Sequence, residues 1–413
     1  MKLVLSHPTG NQFVRALLHE LYHRGMLGEF VTTVAADAAS AWLKLLPDNL
    51  KQELLRRNYP IPIQKINSFP FLELARILMP RLGFNSVVKH ETGWASVDAV
   101  YNNLDQNVAE RILKLSQSEK PDAIYAYEDG AFNSFTQAKD LNIKCLYDLP
   151  IGYWKAARVL LGAEREKWPD WASTLTGFKD SETKLQKKDE ELRLADSIFV
   201  ASSFTAGTLS YYQGKLPNVK VIPYAFPVVS AEREYNTIMA SRPLKLLFVG
   251  GLSQRKGIAN LFAAVKYFGS RVILTVVGRK VVNNCRVLDE ELAKHQWIPT
   301  MPHQQVLELM RQHDVLVFPS LFEGFGLVIT EAMAQGTPVI TTERTAGPDI
   351  INSGENGWLI EAGSTQKLQD AIENILINPK IIAGNGRAAM ETASKRTWNV
   401  YGKELVDAIT NVN

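Results

Sequence analysis

Apolar and polar residues along this chain follow two alternating periods, and the switches between them mark out its elements. Residues 2–6 form a short apolar run that reads as a buried strand. Gly10 and Asn11 then open a segment whose apolar positions, Phe13, Val14, Leu17, Leu18, Leu21 and Tyr22, share one helical face, with Gly25 placed to cap its end. Apolar runs at 123–127, 144–149 and 197–201 predict further strands, and the charged stretch 181–195 predicts a surface helix. Buried strands separated by helix-period segments are the pattern of a parallel α/β sheet.

Residues 41–84 interrupt that rhythm. Leu43, Leu45, Leu46, Leu54, Leu55, Phe69, Phe71, Leu72, Leu74, Ile77, Leu78 and Met79 are interleaved with seven Lys or Arg and only three acidic residues. Two readings stay open: a basic, helix-rich surface that lies on an anionic membrane, or a helical excursion packed on its own domain.

A second α/β rhythm follows 223–242. Strands are predicted at 245–251, 271–278, 315–319 and 338–342, with a short extended piece at 297–301. Helices are predicted at 287–295, 304–313, 327–335, 370–376, 388–393 and 398–410, and one more is marked by Ile258, Leu261, Phe262 and Val265. Gly336 sits where a left-handed cap belongs. Two such halves predict two Rossmann-like, doubly wound domains facing across a cleft: 1–228 and 243–396.

Composition bounds the partners. The chain has 413 residues, 22% charged, and a net charge of +3, too small to argue for nucleic acid. No apolar run reaches the ~18 residues of a membrane-spanning helix, and the start breaks too soon for a signal peptide. Cys145 and Cys285 share no metal-ligand spacing and read as core residues, so the reducing cytoplasm is the expected compartment.

The chemistry concentrates at 317–331. A strand ends at Pro319, a loop carries Gly324 and Gly326, and a helix begins near Leu327. Free amides and the positive dipole end of that helix make an anion site. Glu323 and Glu331, eight positions apart, suit hydroxyl binding better than phosphate binding. This stretch, continuing through Ala332-Met333-Ala334-Gln335-Gly336-Thr337-Pro338-Val339-Ile340, resembles the Glu-(seven residues)-Glu signature of retaining glycosyltransferases of family four (glycosyl transferases group 1), which have the GT-B fold.

The resemblance implies roles residue by residue. Glu323 would bind donor-sugar hydroxyls and Glu331 the ribose hydroxyls. Backbone amides of Gly324, Phe325, Gly326 and Leu327 would hold sugar and phosphates. Phe248-Val249-Gly250-Gly251-Leu252-Ser253-Gln254-Arg255-Lys256-Gly257 is similar to the family's diphosphate loop. Lys256 fits its lysine, but Gly251 stands where relatives carry an arginine, leaving Arg255 or Arg279 to supply that charge. The nucleotide base is expected near 299–301. In the first half, Gly10 and Asn11 occupy the loop where relatives face donor phosphates and acceptor. His7, Asn11, Asp129 and Tyr147 are candidate acceptor or sugar contacts, with Tyr147 replacing the histidine common in relatives.

The resemblance further implies transfer with retention by front-face attack, without a metal or other cofactor, the nucleotide diphosphate sugar serving as co-substrate. The acceptor would be a carbohydrate or lipid-linked glycoconjugate, and the final helix, about 397–413, would cross back to complete the first domain. The chain is expected in the cytoplasm, with the inner membrane face as a peripheral site through 41–84. The alternatives are a sugar-nucleotide epimerase of the same fold and a non-catalytic nucleotide-sugar binder. A nicotinamide-dependent dehydrogenase is disfavoured, because no Gly-x-Gly-x-x-Gly follows a strand.

Overall fold

The structure, a computed structural model, describes residues 1–36, 51, 54–116, 119–231, 233–235 and 242–412. The predicted amphipathic positions at 41–50 therefore lie outside the described residues. The first sheet contains β1 (Leu3–Ser6), β2 (Leu27–Thr32), β3 (Ile66–Ser68), β4 (Ala123–Tyr127), β5 (Lys144–Leu149), β6 (Ser197–Val200) and β7 (Asn218–Val221). Its spatial order is β3-β2-β1-β4-β5-β6-β7. The second contains β8 (Leu244–Val249), β9 (Val272–Val277), β10 (Gln296–Ile298), β11 (Val315–Phe318), β12 (Val339–Thr342) and β13 (Gly357–Ile360), in the order β10-β9-β8-β11-β12-β13.

Every pairing in both sheets is parallel. Strands of a parallel sheet are covered by helices on both faces, which is why β1, β4, β6, β11 and β12 are buried along their whole length. In each sheet the winding reverses beside the first strand, between β1 and β4 and between β8 and β11. Ligands of doubly wound folds bind at the carboxyl ends of such strands, and the loops at 7–11, 128–131, 250–257 and 319–326 leave from those ends.

Three expectations change. The excursion before residue 84 is not purely helical: β3 forms the edge of the first sheet, pairing Phe30 with Ile66 and Thr32 with Ser68, before a short helix at Phe71–Leu78. The helix Glu182–Leu194 is not a plain surface helix, because it buries Lys188 and Glu191 along with Leu185 and Leu192. Charge alone misplaced it, since those two groups find partners inside. Finally, residues 154–178 leave the first sheet and dock on the second. Trp171 stacks on Phe262 at 5.8 Å, Lys167 Nζ donates to the Gly363 carbonyl, and the Gln254 amide donates to Thr174 Oγ1 at 2.9 Å.

The last helix, Trp398–Thr410, returns to the first sheet as expected. Thr397 caps its start, and Gly402 lies so near the helix Gln12–His23 that a Cβ there would stand 2.8 Å from the Ala16 carbonyl oxygen. Arg24 pairs with Asp407 at 2.5 Å and Lys220 Nζ donates to the Ala408 carbonyl at 2.6 Å. A tyrosine contact, Tyr224 on Tyr401 at 5.5 Å, seals the junction.

Candidate active site

The donor-side half grows from two adjacent strand ends. Gly257 adopts φ +70° beside Pro319, whose carbonyl oxygen would be 2.0 Å from any added Cβ. That close approach brings the loop after β8 onto the loop after β11. Lys256 Nζ consequently bonds Glu323 Oε2 and lies 4.7 Å from the centre of the Phe318 ring. Arg255 donates to the same carboxylate oxygen at 3.1 Å and to the Phe322 carbonyl at 2.8 Å. Burial alone would raise the Glu323 pKa, but the charges of Lys256 and Arg255 outweigh it and hold the carboxyl below its ordinary value. Burial lowers the Lys256 pKa, against the pull of Glu323.

Next to this triad the helix Leu327–Ala334 begins at Gly326, whose φ of +90° is left-handed. Among the described residues the amides of Leu327 and Val328 have no protein acceptor, as helix starts leave them. Gly324 has a packing task in addition to the one its place in the motif implies. A Cβ on it would stand 1.9 Å from the Pro150 carbonyl oxygen, and its own carbonyl accepts from Ser202 Oγ and Thr205 Oγ1 at 2.6 and 3.0 Å. It is the point where the two sets of strand-end loops touch. Phe325 is buried against Tyr224 at 5.0 Å. Glu331 is half-buried and 3.9 Å from His303 Nε2; burial raises its pKa, with His303 opposing.

The position normally held by arginine is open. Gly251 is exposed, and a Cβ there would meet only Val281 Cγ1 at 3.6 Å. Of the two replacements considered, Arg255 is engaged with Glu323. Arg279 is exposed and ion-paired with no described residue, while its carbonyl accepts from the Leu252 amide at 2.9 Å.

The first-domain candidates separate. His7 is buried, and its Nδ1 accepts from the Thr9 and Gly10 amides at 3.0 and 2.9 Å, which leaves the proton on Nε2. Burial pushes its pKa down to about 3, so the ring is neutral and shapes its loop. Gly10, at φ +58°, lies under Tyr59, whose Cε1 would be 2.1 Å from a Cβ; nothing in the motif pointed to that ring. Asn11 is exposed at the helix start without a side-chain cap bond. Tyr147 lies fully buried and donates to Glu191 Oε2 at 2.9 Å. Asp129, at φ +69°, pairs with Lys188 at 3.3 Å, and its amide is held by Glu191.

Glu128, the neighbouring carboxylate of the same loop, lines a cavity of about 270 Å³ between the domains, with Trp154, Lys188, Ser253, Arg255 and Phe322. Lys188 holds its carboxylate at 3.1 Å. Burial raises the Glu128 pKa to about 7 against the Lys188 charge. Among the described residues His90, Glu91 and Asp180 place candidate metal-ligand atoms within 4.8 Å of one another, a grouping that linear spacing concealed. Lys184 already pairs with Asp180 there at 3.4 Å.

Comparison with known proteins agrees with this geometry. Residues 236–397 match the family model of glycosyl transferases group 1. D-inositol 3-phosphate glycosyltransferase of Corynebacterium aurimucosum is 25% identical over 330 residues, 70% of this chain and 77% of that protein. Several further curated relatives are aligned over less than half of their own length. Sucrose-phosphate synthase from Thermosynechococcus elongatus superposes with a TM-score of 0.67 at 17% identity, over 100% of this chain and 99% of that one. HepE from Anabaena, in complex with UDP-glucose, gives 0.61 at 16% identity, over 99% of both. Residues 236–397 thus resemble the glycosyl transferases group 1 family, in a chain of GT-B fold.

Proposed function

We propose that this chain is a retaining glycosyltransferase that moves a sugar from a nucleotide diphosphate donor to an acceptor hydroxyl in glycoconjugate synthesis, without a metal. The observation that carries the reading is the convergence of Lys256, Arg255 and Glu323 beside the open amides at Leu327 and Val328. Two cations and a helix start gather where a diphosphate would leave, and such fixed charges act most strongly in a water-poor cleft. The UDP-glucose complex of the HepE structure supports a nucleotide-sugar donor.

On this reading the diphosphate takes over the cations that Glu323 now holds, and Glu323 is released toward sugar hydroxyls. Arg279 stands beside the open position at Gly251 to add the remaining charge. The bond between the anomeric carbon and the phosphate oxygen breaks while the acceptor oxygen bonds to that carbon on the same face. The acceptor proton passes to the departing phosphate oxygen, so no side-chain nucleophile is needed. Glu331 binds the ribose. Incubating the chain with a panel of nucleotide sugars and glycoside acceptors, and reading product anomers by NMR, tests this. A product with inverted configuration, or no transfer from any donor, would refute it.

One observation favours a second reading. Glu128 titrates near neutrality in the interdomain cavity, and a sugar-nucleotide epimerase needs such an acid–base group. Formation of an epimerised donor without acceptor would decide for it.

A further inference from the structure

The helix Phe71–Leu78 is packed inside out. Its buried residues are Glu73 and Ile77, while Phe71 and Leu78 face outward. The surface continues along the chain: Phe71 is 73% exposed, Leu82 70%, Phe84 and Val97 54% each, and Trp94 48%. The segment folds back on itself and brings two of these groups together. The Phe71 and Trp94 rings stand 6.2 Å apart, and the bonds from Gly93 to Lys89 and from Ala95 to Val87 fold the loop back on itself. Apolar side chains scattered singly over a surface carry no message, but a continuous patch of large ones does.

The charge around this patch names its partner. Residues 54–97 hold six Lys or Arg (Arg56, Arg57, Lys65, Arg76, Arg81 and Lys89) against Glu73 and Glu91, an excess of four in a chain whose total is +3. Arg57 and Arg76 pair with the buried Glu73, and Arg81 and Lys89 are exposed in the same segment as the apolar groups. Phenylalanine, tryptophan and leucine side chains rimmed by cations are the composition of a bilayer interface, where the apolar tips enter and the cations meet anionic headgroups. We propose that residues 71–97 form a docking face that seats the first domain on an anionic lipid bilayer. Among the described residues no helix is long and apolar enough to cross a membrane, so the contact is peripheral.

The placement in the fold gives the contact a use. The segment leaves β3 at its carboxyl end, where the Phe69 amide bonds the Thr32 carbonyl at 3.0 Å. In a parallel sheet that is the same end as Gly10 and Glu128, so the docked face borders the cleft. Presentation of a membrane-borne acceptor there rests on the transferase reading; the docking itself does not.

The test is co-sedimentation of the full chain with vesicles of phosphatidylcholine alone and of phosphatidylcholine mixed equally with phosphatidylglycerol. The chain should pellet with the mixed vesicles only, less so at high salt. The F71S/L82S and R81E/K89E variants should each lower partitioning about tenfold or more, while F71W/L82W should retain it. Absence of pelleting with the mixed vesicles, or pelleting that both loss variants leave unchanged, overturns the proposal. A solution dimer that F71S/L82S disperses, without vesicle binding, would overturn it too and give the face to a second copy.

Discussion

Replacing Glu323 by glutamine keeps its shape and removes its charge, which makes the triad the sharpest place to test the electrostatics. The variant leaves Lys256, with 12% of its side chain exposed, beside Arg255 with no anion between them. Breaking a fully buried pair costs about 3–5 kcal/mol. Here the cost falls to about 2 kcal/mol, because Arg255 is one-third exposed and Lys256 can shed its proton, its pKa being already lowered by burial. At roughly 2–4 °C per kcal/mol for a domain of this size, the second domain should melt about 4–8 °C earlier near neutral pH. Since the folded-state pKa of Glu323 lies below its ordinary value, the stabilisation is present above that value and fades as pH falls through the folded-state pKa. Calorimetric melting of wild type and Glu323→Gln across pH should therefore converge toward acid. The same variant should bind the nucleoside diphosphate that wild type binds, UDP or GDP, at least as tightly, because its cations are free, yet lose transfer. Equal melting at neutral pH, or loss of that nucleotide's binding, would refute the reasoning.

Two further outcomes follow from the packing. Gly324→Ala places a Cβ 1.9 Å from the Pro150 carbonyl oxygen and 2.9 Å from Ile151 Cα, both backbone, so it should lower the melting temperature and transfer rate together. Gly251→Ala, with only Val281 at 3.6 Å, should leave both unchanged in the same assays. Asp148, which accepts from Tyr125 at 2.6 Å, has its pKa raised to about 7 by burial. Its contribution is full below the ordinary carboxylate value and is lost as pH rises through about 7. Asp148→Asn should flatten that part of the stability-against-pH curve in urea unfolding; an unchanged slope would remove Asp148 from the account.

Periodicity located the strands whose both faces are covered. Residues 123–127 and 144–149 were delimited to the residue, because uninterrupted apolar runs have sharp edges. It failed at sheet margins: β7 is half-exposed along its length, and β3 has only three residues, set within a segment of helical spacing. The donor-side pair was readable because Lys256 and Glu323, 67 positions apart, each sit inside a motif of their own. Across the cleft, sequence order carried little. Tyr59 covers Gly10 from 49 positions away, a distance over which no local pattern exists. Glu128 and Asp129 share Lys188, a partner about 60 positions away that their own loop does not announce. The missing arginine at 251 was visible in sequence; that the position is open, with Arg279 exposed and ion-paired with no described residue, was not.

The central claim is that Lys256 and its neighbours bind the diphosphate of a nucleotide sugar. Titrating UDP and GDP into wild type and Lys256→Ala by calorimetry tests it most directly. The account predicts that one of the two nucleotides binds the wild type and that Lys256→Ala weakens it by about tenfold or more, the worth of one charge-assisted contact. Equal affinity in the two proteins would contradict it.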